Sequence, residues 1–214
     1  MGLRSAFDVM LASEQPLALI DDLIWQNLVA GARSNKHPWN EGCFSTVEFG
    51  DTGTVAPRTR TVILRRADRD LRTIDLHTDV RSAKIRQLDA GQQPAAVCWL
   101  FYQSSSKIQL RLEGTAELIN DQRADAAWQQ ATLPSRSAYL SIQPPGLVGS
   151  DRQPPDTSDR IVTAAESERG RDNFRIIRTT VRHVDWLYLR RGAHVRAHLD
   201  YQASPHESCR WVVP

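Results

Sequence analysis

Cysteine is scarce. Cys43, Cys98 and Cys209 are the three in 214 residues, far apart and odd in number. A disulfide framework or a zinc cluster would need paired or clustered cysteines, so neither is expected. Long apolar runs are missing too. No stretch approaches the roughly 18 to 20 residues of a membrane-spanning helix. The first residues, Met1-Gly2-Leu3-Arg4-Ser5-Ala6-Phe7-Asp8, lack the apolar segment of a signal peptide. The cytoplasm is therefore the expected compartment. Charge is nearly balanced at +2, which gives no electrostatic case for general nucleic-acid binding. The Gly-x-Gly-x-x-Gly turn, the Gly-rich loop ending in Gly-Lys-Ser/Thr and the paired-His zinc motif are absent. So is the Gly-x-Ser-x-Gly elbow, which removes support for serine hydrolase chemistry.

What is present is an ordinary globular composition, with 41% hydrophobic and 24% charged residues. That much apolar sequence in 214 residues can build one sizeable core, so 1–214 reads as a single domain. Residues 16–30 carry Leu17, Ile20, Ile24 and Leu28 at helical spacing, with Pro16 in the first turn and Gly31 as a stop. Strands are predicted at 43–49, 58–66, 71–78 and 94–102. The clearest pattern follows: Ile108, Leu110, Leu112, Ala116 and Leu118 alternate with polar residues, which is a strand with one buried face. Gln109 and Arg111 share its polar face. Short helices are expected at 81–90, closed by Gly91, at 121–130 and at 134–142.

From 143 to 172 the composition shifts to Pro144-Pro145-Gly146, Pro154-Pro155 and polar residues. A loop this long reads as a lid, an interface loop or a partly disordered segment. Residues 174–189 return to β-rich sequence, and 194–199 and 210–213 close the chain as strands. Neighbouring strands that outnumber the helices favour a largely antiparallel sheet or barrel with helices at its edge.

One unit organises the chain. Arg58-Thr59-Arg60-Thr61-Val62-Ile63-Leu64-Arg65-Arg66 is a strand with arginines at both ends. Thr78-Asp79-Val80-Arg81-Ser82-Ala83-Lys84 is the next strand turning into a helix, with Thr78 or Asp79 as the cap. Free backbone N–H groups at a helix start, with Lys84 and the arginines nearby, suit a phosphate. Taken singly, each of these residues is equally what a solvated strand end carries. Arg60 and Arg65 are also an odd number apart, so an ideal strand sends them to opposite faces. One ligand meets both only if it wraps the edge, if a bulge intervenes, or if two subunits share it. Gln109 offers an amide donor and acceptor to a heterocycle, and Trp186 a ring to pack on. His194 and Arg196, two apart, would share a strand face.

The ordered set Arg60-Thr61-Val62-Ile63-Leu64-Arg65, His77-Thr78, Arg81-Ser82-Ala83-Lys84, Gln109, Glu113-Gly114-Thr115-Ala116-Glu117, Trp186 and His194-Val195-Arg196 resembles the pyridoxamine 5′-phosphate oxidase family, and most of all its oxidase-related FMN-binding branch. The resemblance runs over about residues 15 to 214. It implies a mainly β (α+β) fold with flanking helices, a six-stranded antiparallel split β-barrel. It implies a homodimer with FMN at the interface, no nucleic-acid partner and no membrane. The matching positions for FMN are Arg60, Thr61, Val62, Ile63, Leu64, Arg65, His77, Thr78, Ser82, Lys84, Gln109, Trp186 and Arg196. Arg65, His194 and Arg196 would act in catalysis, with Arg65 where the oxidases usually carry a lysine. Arg136, Ser137 and His194 would meet the substrate. The implied reaction is oxidation of pyridoxamine or pyridoxine 5′-phosphate by oxygen, a CH–NH2 type donor in the first case. Two departures stand out. Ala83-Lys84 replaces two consecutive basic residues, and Gly192 falls where an arginine is usual, with Arg191 beside it. An FMN enzyme of the same fold acting on another small molecule, or a non-catalytic flavin-binding protein, fits the same motifs.

Overall fold

The computed structural model describes residues 11, 14, 16–50, 52–90, 94–147, 163–203 and 209–214. Helix α1 spans Pro16–Arg33 and buries Ile20, Ile24, Trp25 and Leu28. Gly31, expected to stop it, lies inside it instead. A Cβ there would come within 2.7 Å of the Trp39 carbonyl oxygen, so this glycine permits a close approach and the helix continues past it.

Among the described residues nine strands follow: β1 Glu41–Phe49, β2 Val55–Ile63, β3 Arg66–Asp68, β4 Thr73–Asp79, β5 Ala95–Gln103, β6 Ile108–Ile119, β7 Phe174–Tyr188, β8 Val195–Asp200 and β9 Cys209–Val212. The helices between them are α2 Ala83–Asp89, α3 Gln122–Gln130, α4 Leu133–Ser137 and α5 Ala164–Ser167, with a 3-10 helix at Glu168–Asn173. Every strand pairing is antiparallel, in the order β2-β1-β5-β6-β7-β4-β3. Strand β7 is long enough to serve three neighbours. It pairs with β6 on one edge; on the other, its first half pairs with β4 and its second half with β8. Strand β9 extends β8.

Among the described residues nine strands stand where the resemblance implied six. Strands β8 and β9, expected at 194–199 and 210–213, extend the sheet beyond β7. The 58–66 strand is also broken at Leu64 and Arg65. Leu64 N–H donates to the Asn40 carbonyl at 2.7 Å, and Arg65 N–H donates to the Asp75 carbonyl at 2.8 Å. The chain thus leaves the ladder of β1 and joins that of β4. Strands β2 and β3 sit at opposite ends of the sheet order yet are joined by two residues. The sheet therefore wraps round without a closed ladder, which is a split barrel.

Inside it lie Phe44, Leu64, Leu76, Trp99, Phe101, Leu110, Leu112 and Val184, roofed by α1. A smaller core of Ile119, Ala124, Trp128, Phe174 and Ile176 forms where α3 packs on the strands. Helix α2 is shorter than expected, and Gly91 lies outside the described residues. Part of the 143–172 segment is helical, because a capping box between Thr163 and Glu166 starts α5. Pro154 and Pro155 lie outside the described residues. His194 falls in the loop before β8 and not on the strand.

At Gly114 the register of β6 and β7 shifts, leaving Arg182 unmatched between Val181 and His183. A Cβ at Gly114 would come within 2.0 Å of the Thr180 carbonyl oxygen. Gly114→Ala should therefore destabilise the protein by at least about 2 kcal/mol in urea unfolding. An unchanged midpoint would mean that the bulge adapts freely.

Candidate functional site

Three groups of side chains make up the candidate site, and the split barrel sets where each one faces. The first is built on β1, β2 and α2. Arg60 pairs across from Phe44, a core residue, so it faces inward. Its Nη1 donates to Thr46 Oγ1 at 2.7 Å and to the Phe44 carbonyl at 3.2 Å, and its Nη2 donates to Gln87 Oε1 at 2.8 Å. Ser82 is the N-cap of α2, in place of Thr78 or Asp79, but its hydroxyl makes no capping bond. It lies 3.1 Å from Thr78 Oγ1 and accepts from Lys84 Nζ at 3.1 Å. Lys84 Nζ also donates to Thr78 Oγ1 at 2.9 Å.

Among the described residues, neither Arg60 nor Lys84 has a carboxylate within ion-pair distance. The acids nearby are used elsewhere: Asp79 holds Arg81, and Glu48 holds Arg58. Burial pushes the Lys84 ammonium down from its ordinary range, and the charge of Arg60 pushes the same way. Burial, then Arg58, lowers Arg60. Two half-buried cations, near enough for the charge of Arg60 to act on Lys84, are thus held by hydroxyls, a carbonyl and an amide oxygen. That donor set fits a phosphate.

The second group follows the break in the strand. Leu64 turns fully into the core, and the parity between Arg60 and Arg65 is lost there. Arg65 is exposed, while Thr61, Val62 and Ile63 line the end of β2. His77, on β4, packs edge-on against Phe174 at 4.7 Å. Burial, and then the charge of Arg65, lowers its pKa to about 4, so it is neutral near pH 7. Burial pushes the neighbouring Tyr139 phenol up to about 12.

The third group lies on the outward face of the second half of β7. Gln109 sits between Tyr102 on β5 and Leu187 on β7, and Leu187 pairs in turn with Arg196 on β8. The Gln109 amide makes no side-chain hydrogen bond among the described residues. Arg196 donates from Nε at 2.8 Å and from Nη2 at 2.7 Å to Asp185, and Arg111 Nη2 forms an ion pair with the same carboxylate at 2.9 Å. Burial opposes ionisation of Asp185, but the Arg196 hydrogen bond and the charges of Arg196, Arg111 and His198 outweigh it, so its carboxyl stays below the usual range.

Other expected residues lie apart from these groups. Trp186 is in the barrel core, 2% exposed, and supports β7 from beneath. His194 is exposed. Arg136, expected at the substrate, is 6% exposed and committed elsewhere. It donates to Glu168 at 2.8 Å, to Ser167 at 3.3 Å and to the Gln129 carbonyl at 3.0 Å, and it lies over the Trp128 ring. Ser137 donates to the Pro134 carbonyl at 2.7 Å. Gly192, at φ +93, has open space around it. Thr46, Gln87 and Asp185 went unread in the sequence. Only Gln87 carried a signal, lying three residues after Lys84 on the same helix face.

Residues 22–120 match the pyridoxamine 5′-phosphate oxidase FMN-binding domain. A pyridoxine/pyridoxamine 5′-phosphate oxidase of Caulobacter vibrioides is 30% identical over 187 residues, covering 78% of this chain and 78% of that protein. The chain belongs to the pyridoxamine 5′-phosphate oxidase family. Pyridoxine/pyridoxamine 5′-phosphate oxidase 2 of Arabidopsis thaliana is 28% identical over 137 residues, covering 60% of this chain and 67% of that one. Among solved structures, an oxidase-related FMN-binding protein of Nostoc punctiforme superposes with a TM-score of 0.62 at 23% identity, covering 96% of this chain and all of the other. PhzG of Burkholderia lata, in complex with tetrahydrophenazine-1-carboxylic acid, gives 0.60 at 16% identity, covering 100% and 98%. At those identities the two structures speak for the fold. The cofactor of the matched domain is FMN, and the unpaired cations and hydroxyls at Arg60 and Lys84 fit its phosphate.

Two predictions follow from these charges. Flavin-free protein should melt higher in phosphate than in chloride of matched ionic strength, since an anion bound only by the folded state stabilises it. Lys84→Met should lose most of that difference; equal melting of the parent in both salts would sink the anion site. Between about pH 6.5 and 4 the unfolded chain takes up a proton at His77 that the folded protein does not. Stability is therefore lost as the pH falls through that window. Going from pH 7 to pH 5 should cost the parent about 2 kcal/mol more than His77→Gln in urea unfolding. Identical losses would refute a buried neutral His77.

Proposed function

We propose that this chain is an FMN-dependent oxidoreductase that oxidises a small donor, pyridoxamine or pyridoxine 5′-phosphate, as a cytoplasmic homodimer. The observation that carries the reading is the pair of cations, Arg60 and Lys84, left without an acid inside an FMN-binding family fold. FMN held there would supply the two-electron acceptor for the C4′ carbon of the donor, with oxygen as the final acceptor.

The rest falls to the chain's own side chains. Arg60 and Lys84, with the Thr78 and Ser82 hydroxyls, hold the phosphate. The segment from Thr61 through Arg65 lines the cofactor where the strand breaks. Gln109 offers its amide to the ring edge. His77 stays neutral and adds no charge beside Arg65. Trp186, packed in the core, would hold β7 rigid. Arg65, His194 and Arg196 orient the donor, with Ser137 at the margin.

The dimer has its own support. Arg60 faces the barrel interior, whereas Gln109 and Arg196 face outward. Residues on different sides of one protomer serve a single cofactor most simply when two copies meet around it.

A second reading keeps the cofactor and changes the donor. Arg136, expected at the substrate, is consumed by Glu168, and Gly192 has no side chain where the family usually carries an arginine. Arg65 and Arg191 remain for a donor with a different anionic group. The deciding experiment is the visible spectrum of purified protein, repeated after pyridoxamine 5′-phosphate is added without oxygen. Bleaching of the flavin bands is expected. An unchanged flavin spectrum would reject this donor and favour the second reading, or a flavin-binding protein without turnover.

A further inference from the structure

Asp185 lies on the outward face of β7 yet is only 1% exposed. It is covered by basic side chains from both neighbouring strands. Arg111 on β6 and His198 on β8 stand directly opposite it, and Arg196 stands diagonal to it on β8. Arg196 closes on the carboxylate with two parallel hydrogen bonds, at 2.8 and 2.7 Å. Arg111 Nη2 reaches the same Oδ2 that Arg196 Nη2 holds. His198 Nε2 stands 3.5 Å away without completing a hydrogen bond.

This geometry has two consequences. A two-pronged bond fixes the plane of a guanidinium as well as its position, which a single contact cannot do. Arg196 is therefore held as a preset arm, with Nη1 outside the pair of bonds to Asp185. The carboxylate also cancels one of two positive charges in this patch, and Glu113 lies 3.1 Å from Arg111 Nε. Gln109 shares this face: it is two residues from Arg111 on β6, and Leu187 of β7 stands between it and Arg196 on β8. Amide and guanidinium donors thus converge on one outward surface.

We infer that Asp185 is a positioning residue: it orients Arg196 and Arg111 toward the isoalloxazine ring of FMN and sets the charge that the ring meets there. The inference rests on the FMN oxidoreductase reading and adds to it a residue outside the family motif. Without the Asp185 charge, the two arginines present more positive charge and a looser geometry. Positive charge beside a flavin favours its reduced, more anionic state.

The test uses the FMN-loaded protein and two readouts, the FMN dissociation constant by flavin fluorescence and the midpoint potential by spectroelectrochemistry. Asp185→Asn should weaken FMN at least fivefold and move the potential upward. In an Arg196→Met background the same substitution should move both quantities much less, because its effect passes through Arg196. A folded Asp185→Asn protein with parental affinity and potential overturns the inference, as does an equal effect in the Arg196→Met background. Should Asp185→Asn fail to fold, Asp185→Glu keeps the charge but displaces the fork by one methylene. It should weaken FMN while leaving the potential near the parent's, and parental affinity in that variant also overturns the inference. Parent protein that takes up no FMN refutes the oxidoreductase reading itself, whereas a parent that binds FMN with indifferent Asp185 variants refutes this inference alone.

Discussion

Two cations share a half-buried space without an acid between them, and the structure around them is arranged to keep them there. Proteins rarely bury charge without pairing it, because the lost hydration must be replaced. Here Lys84 leans on two hydroxyls, and Arg60 on a hydroxyl, a carbonyl and an amide oxygen. The acids within reach are drawn off by Arg81 and Arg58. An arrangement that is unfavourable when empty becomes favourable when a phosphate enters, so binding energy and folding energy are coupled at this point.

The barrel makes this placement possible through its broken strand. At Leu64 and Arg65 the chain changes partners, from β1 to β4. One segment thereby brings Arg60 to the barrel interior and Arg65 to the exposed side beside His77. Strand β7 does a similar service at the other end. Its first half anchors β4 and the Trp128 core, and its second half carries Asp185 outward and Trp186 inward. The proposed cofactor residues are thus distributed over two faces of one sheet, which is why a second copy of the chain fits the reading.

Much of this was legible in the sequence. Period-two alternation in 108–118 marks β6 because one face is buried and the other is not. The Arg60, Ser82 and Lys84 set was readable because those residue types at a strand end and a helix start suit an anion whatever the fold. Tertiary constraints were not legible. Gly31 looks like a helix stop, but it is a glycine because the Trp39 carbonyl passes close by. Arg136 looks like a substrate ligand until α5 brings Glu168 to it. The break at Leu64 leaves no mark in a β-branched run, since it depends on hydrogen bonds to Asn40 and Asp75. Asp185 reads as the single acid of a strand that also carries three arginines, and only the register with β6 and β8 makes it a hub. The start of α5 was readable in Thr163-Ala164-Ala165-Glu166, a capping-box pattern that the polar composition around it obscured.

The measurement closest to the central claim compares FMN with riboflavin, which differ by the phosphate alone. Fluorescence titration of flavin-free protein with each ligand isolates what that phosphate contributes. Arg60 and Lys84 as the phosphate site predict FMN affinity at least 100-fold above that of riboflavin, about 2.7 kcal/mol. They also predict that most of this gap disappears in Lys84→Met, with riboflavin affinity little changed. Equal affinity for the two flavins in the parent, or a gap that survives in Lys84→Met, would contradict the account.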